Sequence, residues 1–152
     1  MTEFSNSAFQ VDALTIPSLS GLAISAYSAP SSLLDNTTTS PQGKSFLRCV
    51  ARLSLSAPVT AGAGSPYLTL YALAALDGTN LPNPPGAAAA APRPNARQRI
   101  AQLTAGAAFQ TVDFDDPFDL EACPYAFQVY NGAGVALGTA TLTIYRADTI
   151  AA

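Results

Sequence analysis

The chain has 152 residues and a formal charge of −3, with 49% hydrophobic and only 11% charged residues. An ordinary domain carries roughly 25% charged residues, so the surface must be largely Ser, Thr, Asn, Gly and Ala, as in a protein covered by partners. Seven Lys and Arg are too few for a phosphate-tracking patch, and the absence of His removes Ser-His-Asp and Cys-His catalysis and the commonest zinc ligand.

Residues 1–30 read as an N-terminal arm followed by an edge strand near residue 22. The arm's scattered apolar residues, Phe4, Phe9, Val11, Leu14 and Ile16, are candidates for contact with a neighbouring subunit. The first residues lack the basic and apolar regions of a secretory leader, so none is expected. The apolar stretch 13–27 is interrupted by Pro17 and Gly21 and falls short of the roughly 20 residues a membrane helix needs. No membrane association is expected.

Residues 31–152 read as one β-sandwich domain. Residues 31–45 are a loop by composition. From 46 to 56 Leu47, Cys49, Ala51, Leu53 and Leu55 alternate with Arg48, Arg52, Ser54 and Ser56, the period of a half-buried strand. Cys49 falls on its apolar side and reads as a buried thiol; Cys123 has no metal-type spacing to it. Residues 67–76 predict a second strand. The insertion 77–99 holds an Ala run between prolines, far below the ~12–15 residues of an isolated helix. It reads as an extended contact loop, with Pro84, Pro85, Arg93, Arg97 and Arg99 as candidate contact residues. Strands are predicted at 107–114, 125–130 and 135–145, with a short one at 100–104. Six to eight short strands and no helix predict an all-β fold, a small antiparallel sandwich of jelly-roll or Ig-like kind.

Three features invite a functional reading. The sequence NGAGVALG (131–138) has glycines spaced like those of a nucleotide-binding loop. A strand-patterned stretch follows it, and Asn131-Gly132 is a strong hairpin signal, so a final hairpin is expected. Asp113, Asp115, Asp116, Asp119 and Glu121 lack the spacing of a calcium loop and read as a solvated acidic loop, with the loop arginines as partners. The tyrosines and phenylalanines read as core, a carbohydrate platform being the minority reading in a chain without Trp. No residue set for catalysis emerges, and no cofactor or metal is expected.

The stretch 68–80, ending in Asp77-Gly78-Thr79-Asn80, then Pro82, residues 127–138 and Tyr145-Arg146 together resemble small virion structural proteins of tailed bacteriophages. Cys123-Pro124-Tyr125 departs from that pattern, where the family carries a basic approach to the last strands. The resemblance rests on turn and core residues, so it transfers no catalytic site. It implies a non-enzymatic capsid decoration or cement protein located in the virion. Its partners would be the major capsid protein or other virion subunits, as a homo-oligomer (dimer or trimer), without nucleic acid. The alternatives are a tail, neck or collar component, and a carbohydrate- or host-surface-binding sandwich module.

Overall fold

The computed structural model describes residues 9–37, 48–55, 64–78, 81, 92, 96–107 and 110–147. Seven strands lie among the described residues: β1 (Phe9–Leu14), β2 (Arg48–Leu55), β3 (Tyr67–Ala74), β4 (Arg97–Gln102), β5 (Gln110–Asp119), β6 (Tyr125–Gly132) and β7 (Ala140–Ala147). They form two antiparallel sheets, ordered β1-β7-β2-β5 and β4-β3-β6. No helix occurs among the described residues, and the all-β sandwich is as expected. Strands β2 and β3 leave for opposite sheets, and each pairs with a strand three places later in the chain. This interlock holds the sheets face to face.

The core follows from the period-two alternation. Cys49, Ala51, Leu53 and Leu55 of β2 meet Leu68, Leu70 and Ala72 of β3, with Phe114, Phe118, Phe127 and Val129 filling between. Both cysteines are buried and free. Burial pushes the Cys49 thiol up to about 12, although the nearby Arg146 guanidinium pulls the other way.

The acidic stretch is not a loop. Strand β5 runs through Asp119, because Asp113 and Asp119 stand opposite Arg52 and Arg48 in the β2 register. Between Ala51↔Phe114 and Cys49↔Phe118 the register shifts, and this bulge takes up Pro117, which cannot donate to a ladder. The strand expected at 100–104 begins earlier, at Arg97, because Ala72 and Leu70 of β3 offer pairing partners to Arg97 and Arg99.

The final hairpin is also corrected. Strands β6 and β7 lie in different sheets, so 133–139 is a corner between layers. Asn131 is buried there: its amide donates to the carbonyls of Leu22 (2.9 Å), Ala23 (3.1 Å) and Val135 (2.8 Å), and its Oδ1 accepts from Ala133 N at 2.9 Å. The side chain thereby ties the corner to the backbone of residues 22–23 and satisfies the Ala133 amide and the Val135 carbonyl within it. Positive φ falls on Gly134 (75°).

Residues 9–34 pack onto the rest of the sandwich. Strand β1 pairs with β7, and no strand forms near residue 22, where Ser18, Gly21 and Ser25 take positive φ. Residues 25–34 then run along the outer edge of β6. The amides of Ser25, Ser28, Ser31 and Leu34 donate to the carbonyls of Asn131, Val129, Phe127 and Tyr125 at 2.6–2.8 Å. Three residues advance for every two of β6, so the Ser28 and Ser31 hydroxyls take the place of missing carbonyls. They accept from Val129 N and Phe127 N, both at 2.9 Å. The serine-rich composition thereby closes a sheet edge that would otherwise be open to another chain.

One charge is inside. Arg146 of β7 is 2% exposed and donates to both carboxylate oxygens of Asp12 (2.8 and 3.2 Å) and to the Asp35 carbonyl at 2.6 Å. Asn36 beside it donates to the Glu121 carbonyl at 2.8 Å. The network ties β1, β7, the 35–37 turn and the β5–β6 connection at one end of the sandwich.

Candidate functional site

The outward positions of β6, β3 and β4 form three cross-strand rows. They are Gly132–Tyr67–Gln102, Tyr130–Thr69–Ile100 and Gln128–Tyr71–Gln98. Tyr27, bridged to Tyr130 from the edge segment, adds a fourth tyrosine. The four rings gather because each stands on the same face of adjacent strands, where directly opposed and diagonal side chains touch. Tyr27 and Tyr130 have centroids 4.8 Å apart, Tyr27 and Tyr71 6.1 Å, and Tyr67 and Tyr130 6.1 Å, with planes inclined by 34–49°.

Gly132 shapes this face. A Cβ there would lie 2.7 Å from the Tyr67 ring, so glycine is what lets the ring fold over the end of β6. Buried Gln128 donates to the Ser28 carbonyl at 2.7 Å and fastens the edge segment beneath Tyr27. Together Tyr27, Tyr67, Thr69, Tyr71, Ile100, Gln102 and Tyr130 line an open cleft of about 450 Å³. Its floor is Thr69, and Ile100 stands 56% exposed at its side. Among the described residues no charged side chain lines it.

Burial, then the neighbouring Tyr27 through charge and hydrogen bonding, pushes the Tyr71 phenol up to about 12. With no charged side chain among its described lining, the cleft offers ring faces, hydroxyls and one exposed amide. That set suits an uncharged ligand with apolar surface and carbonyl acceptors.

Those of the residues singled out in the sequence that are described are not brought together at one site. Phe4, Pro84, Pro85 and Arg93 lie outside the described residues, as does the side chain of Phe9. Val11 is exposed on β1, Leu14 is partly buried against the core, and Ile16 belongs to the core itself. Arg97 pairs with Glu121 at 2.6 Å and also donates to the Asp119 carbonyl, so the expected pairing of a loop arginine with the acidic stretch occurs within the chain. Arg99 lies 4.9 Å over the Phe118 ring. Among the described residues no group of three His, Cys, Asp or Glu is placed to hold a metal.

The aromatic residues divide between two roles. Phe114, Phe118, Tyr125 and Phe127 are core as expected, whereas Tyr27, Tyr67, Tyr71 and Tyr130 are half-buried on the outer face. The alternation Tyr67-Thr69-Tyr71 carried that signal, but it became a cluster only once β6 was placed beside β3. No protein family matches this chain, and no curated protein or solved structure is significantly similar to it.

Proposed function

We propose that the chain is a non-enzymatic virion structural protein of a tailed phage, a decoration protein of the head that meets neighbouring subunits through its tyrosine face. The observation that carries the reading is the contrast between its sheets. One outer face is closed by its own ion pairs, and the other leaves four tyrosines and Ile100 uncharged around a cleft. Tyrosine is enriched at protein interfaces because its ring buries apolar area while its hydroxyl keeps a partner. The low charge of the chain and its resemblance to virion proteins point the same way.

The test is co-sedimentation with heads of the parent phage stripped of this chain, paired with antibody labelling of intact particles. Decoration predicts saturable binding to heads and label distributed over the head. Label confined to the tail or neck would overturn the head assignment.

The cleft also favours a second reading, a glycan- or host-surface-binding module. A glycan array probed with the purified chain tests it, and hits lost on Tyr130→Ala would select it.

A further inference from the structure

The cleft has a shape and chemistry that narrow its occupant. Flat sugar rings stack on a single exposed ring face and are held by carboxylates, amides or guanidinium groups around their hydroxyls. Here the rings are inclined by 34–49° to one another, forming furrows, and no charged side chain is among the described residues of the lining. Furrows between aromatic rings with hydroxyl donors are how proline-rich segments are bound. The polyproline helix sets its pyrrolidine rings into them and offers free carbonyls to the donors. Tyr67 and Tyr71 are four residues apart on one strand, about 13 Å at ~3.3 Å per residue. At ~3.1 Å per polyproline residue, that length takes one Pro-x-x-Pro unit.

The chain itself carries a segment of this chemistry. Pro82, Pro84, Pro85, Pro92 and Pro94 fall within 13 residues, with Arg93 the only charge among them. The segment connects β3 and β4, two of the strands that carry the cleft.

We infer that the tyrosine cleft binds the proline-rich segment 82–94 of a second copy of this chain. This rests on reading the tyrosine face as the contact face and names its partner. Because every copy holds both a cleft and a segment, exchange between copies closes into a dimer or a small ring.

The experiment has two arms. In the first, light scattering on the full chain is expected to give an oligomer, and Pro84→Ser with Pro85→Ser is expected to give a monomer. In the second, a synthetic peptide of residues 81–95 is titrated into that monomeric variant, with the tyrosine ring NMR signals as readout. The peptide should shift Tyr27, Tyr67, Tyr71 and Tyr130 saturably, leave Tyr145 unmoved, and lose at least tenfold in affinity on Tyr71→Ala. Tyr71→Phe, which keeps the ring, guards against misfolding and should lose less.

A wild-type chain that stays monomeric, a peptide that shifts none of the four, or affinity indifferent to Tyr71→Ala would each overturn the inference. So would chitohexaose shifting these signals where the peptide does not. Head co-sedimentation of the serine variant keeps the two readings apart. Retained head binding without peptide binding sinks only the inference, whereas lost head binding of a Tyr130→Ala variant that takes up no peptide leaves the contact face standing.

Discussion

On the first sheet Arg48 and Arg52 of β2 face Asp119 and Asp113 of β5, and at the matching outward positions of the second sheet stand Tyr67, Tyr71 and Tyr130. The charged face satisfies itself. Arg52 holds Asp113 through two hydrogen bonds, at 2.6 and 2.8 Å, and lies 5.6 Å over the Tyr145 ring. The tyrosine face does not, since its rings still border an open cleft. Four of the chain's seven basic residues, Arg48, Arg52, Arg97 and Arg146, are spent in intrachain pairs. Among the described residues the sparse charge thus goes largely into fastening strands, and the open face of the second sheet is neutral and aromatic.

The first sheet holds a second comparison within itself, and breaking it has the largest expected effect. Arg146–Asp12 is an ion pair like Arg52–Asp113, but its arginine is 2% exposed where the Arg52 side chain is 45% exposed. Asp12→Ala strands a buried guanidinium, and losing one partner of a buried pair costs about 3–5 kcal/mol. Urea unfolding of the variant should show a loss of that size. A loss under about 1 kcal/mol would mean that the carbonyl of Asp35 and the Asn36 side chain suffice to hold the charge.

On the second sheet the corresponding anchor is neutral. Asn131→Ala removes one acceptor and three donated bonds at the corner that presents the edge segment, and with it Tyr27. The Leu22 and Ala23 carbonyls keep Leu137 N (2.9 Å) and Ala26 N (3.3 Å), so the groups that lose their partner are the Val135 carbonyl and the Ala133 amide, at about 1–3 kcal/mol each, relieved in part by entering water. A net loss of about 2–4 kcal/mol is expected. In the same variant the Tyr27 and Tyr130 ring signals should separate from each other. Unchanged rings would show that the Ser28 and Ser31 bonds alone hold the cleft.

The sequence made the strands legible where one face is apolar and the other polar, as in 48–55, and so the sandwich followed from it. It misled where a residue's meaning depends on which sheet comes next. Asn131-Gly132 has hairpin chemistry, but β7 returns to the other sheet, so Asn131 serves as a buried hub and Gly132 as space for Tyr67. Five carboxylates read as a loop until Arg48 and Arg52 stood opposite two of them. The edge segment was hardest, because its three-for-two step along β6 has neither strand nor helix period. The cleft was illegible for the same reason, since its tyrosines come from three separate elements of the chain.

A smaller effect separates the tyrosines by pH. With its phenol pushed up to about 12 in the folded chain, against an ordinary value of 10.0, Tyr71 ionises more readily when unfolded. Its contribution to stability is whole below pH 10 and fades as pH climbs toward 12. Tyr125, pushed up to about 12 chiefly by burial, adds in the same direction. The phenolate absorbance that Tyr71→Phe with Tyr125→Phe removes should therefore develop in the folded chain only as pH approaches 12. If the part lost with Tyr71→Phe developed near 10 instead, water would reach Tyr71 and the cleft would be wetter than its lining implies.

The smallest change is expected where the ion pairs look densest. Arg52→Ala deletes a two-pronged pair and a ring contact, yet both partners are open to water, which replaces much of what is lost. The melting temperature at neutral pH should fall by no more than about 2 °C. The residual effect should follow Asp113, whose carboxyl the Arg52 hydrogen bonds hold below its ordinary 3.8. A lowered carboxylate stabilises the fold above the unfolded value and loses that contribution as pH falls through the folded one. Wild type and Arg52→Ala should therefore converge as the solution is acidified below 3.8, and also when salt is raised at pH 7. A larger loss that salt leaves untouched would move this pair into the class of Arg146–Asp12. The charged face would then be as structural as the interior, and its contrast with the tyrosine face would rest on exposure alone.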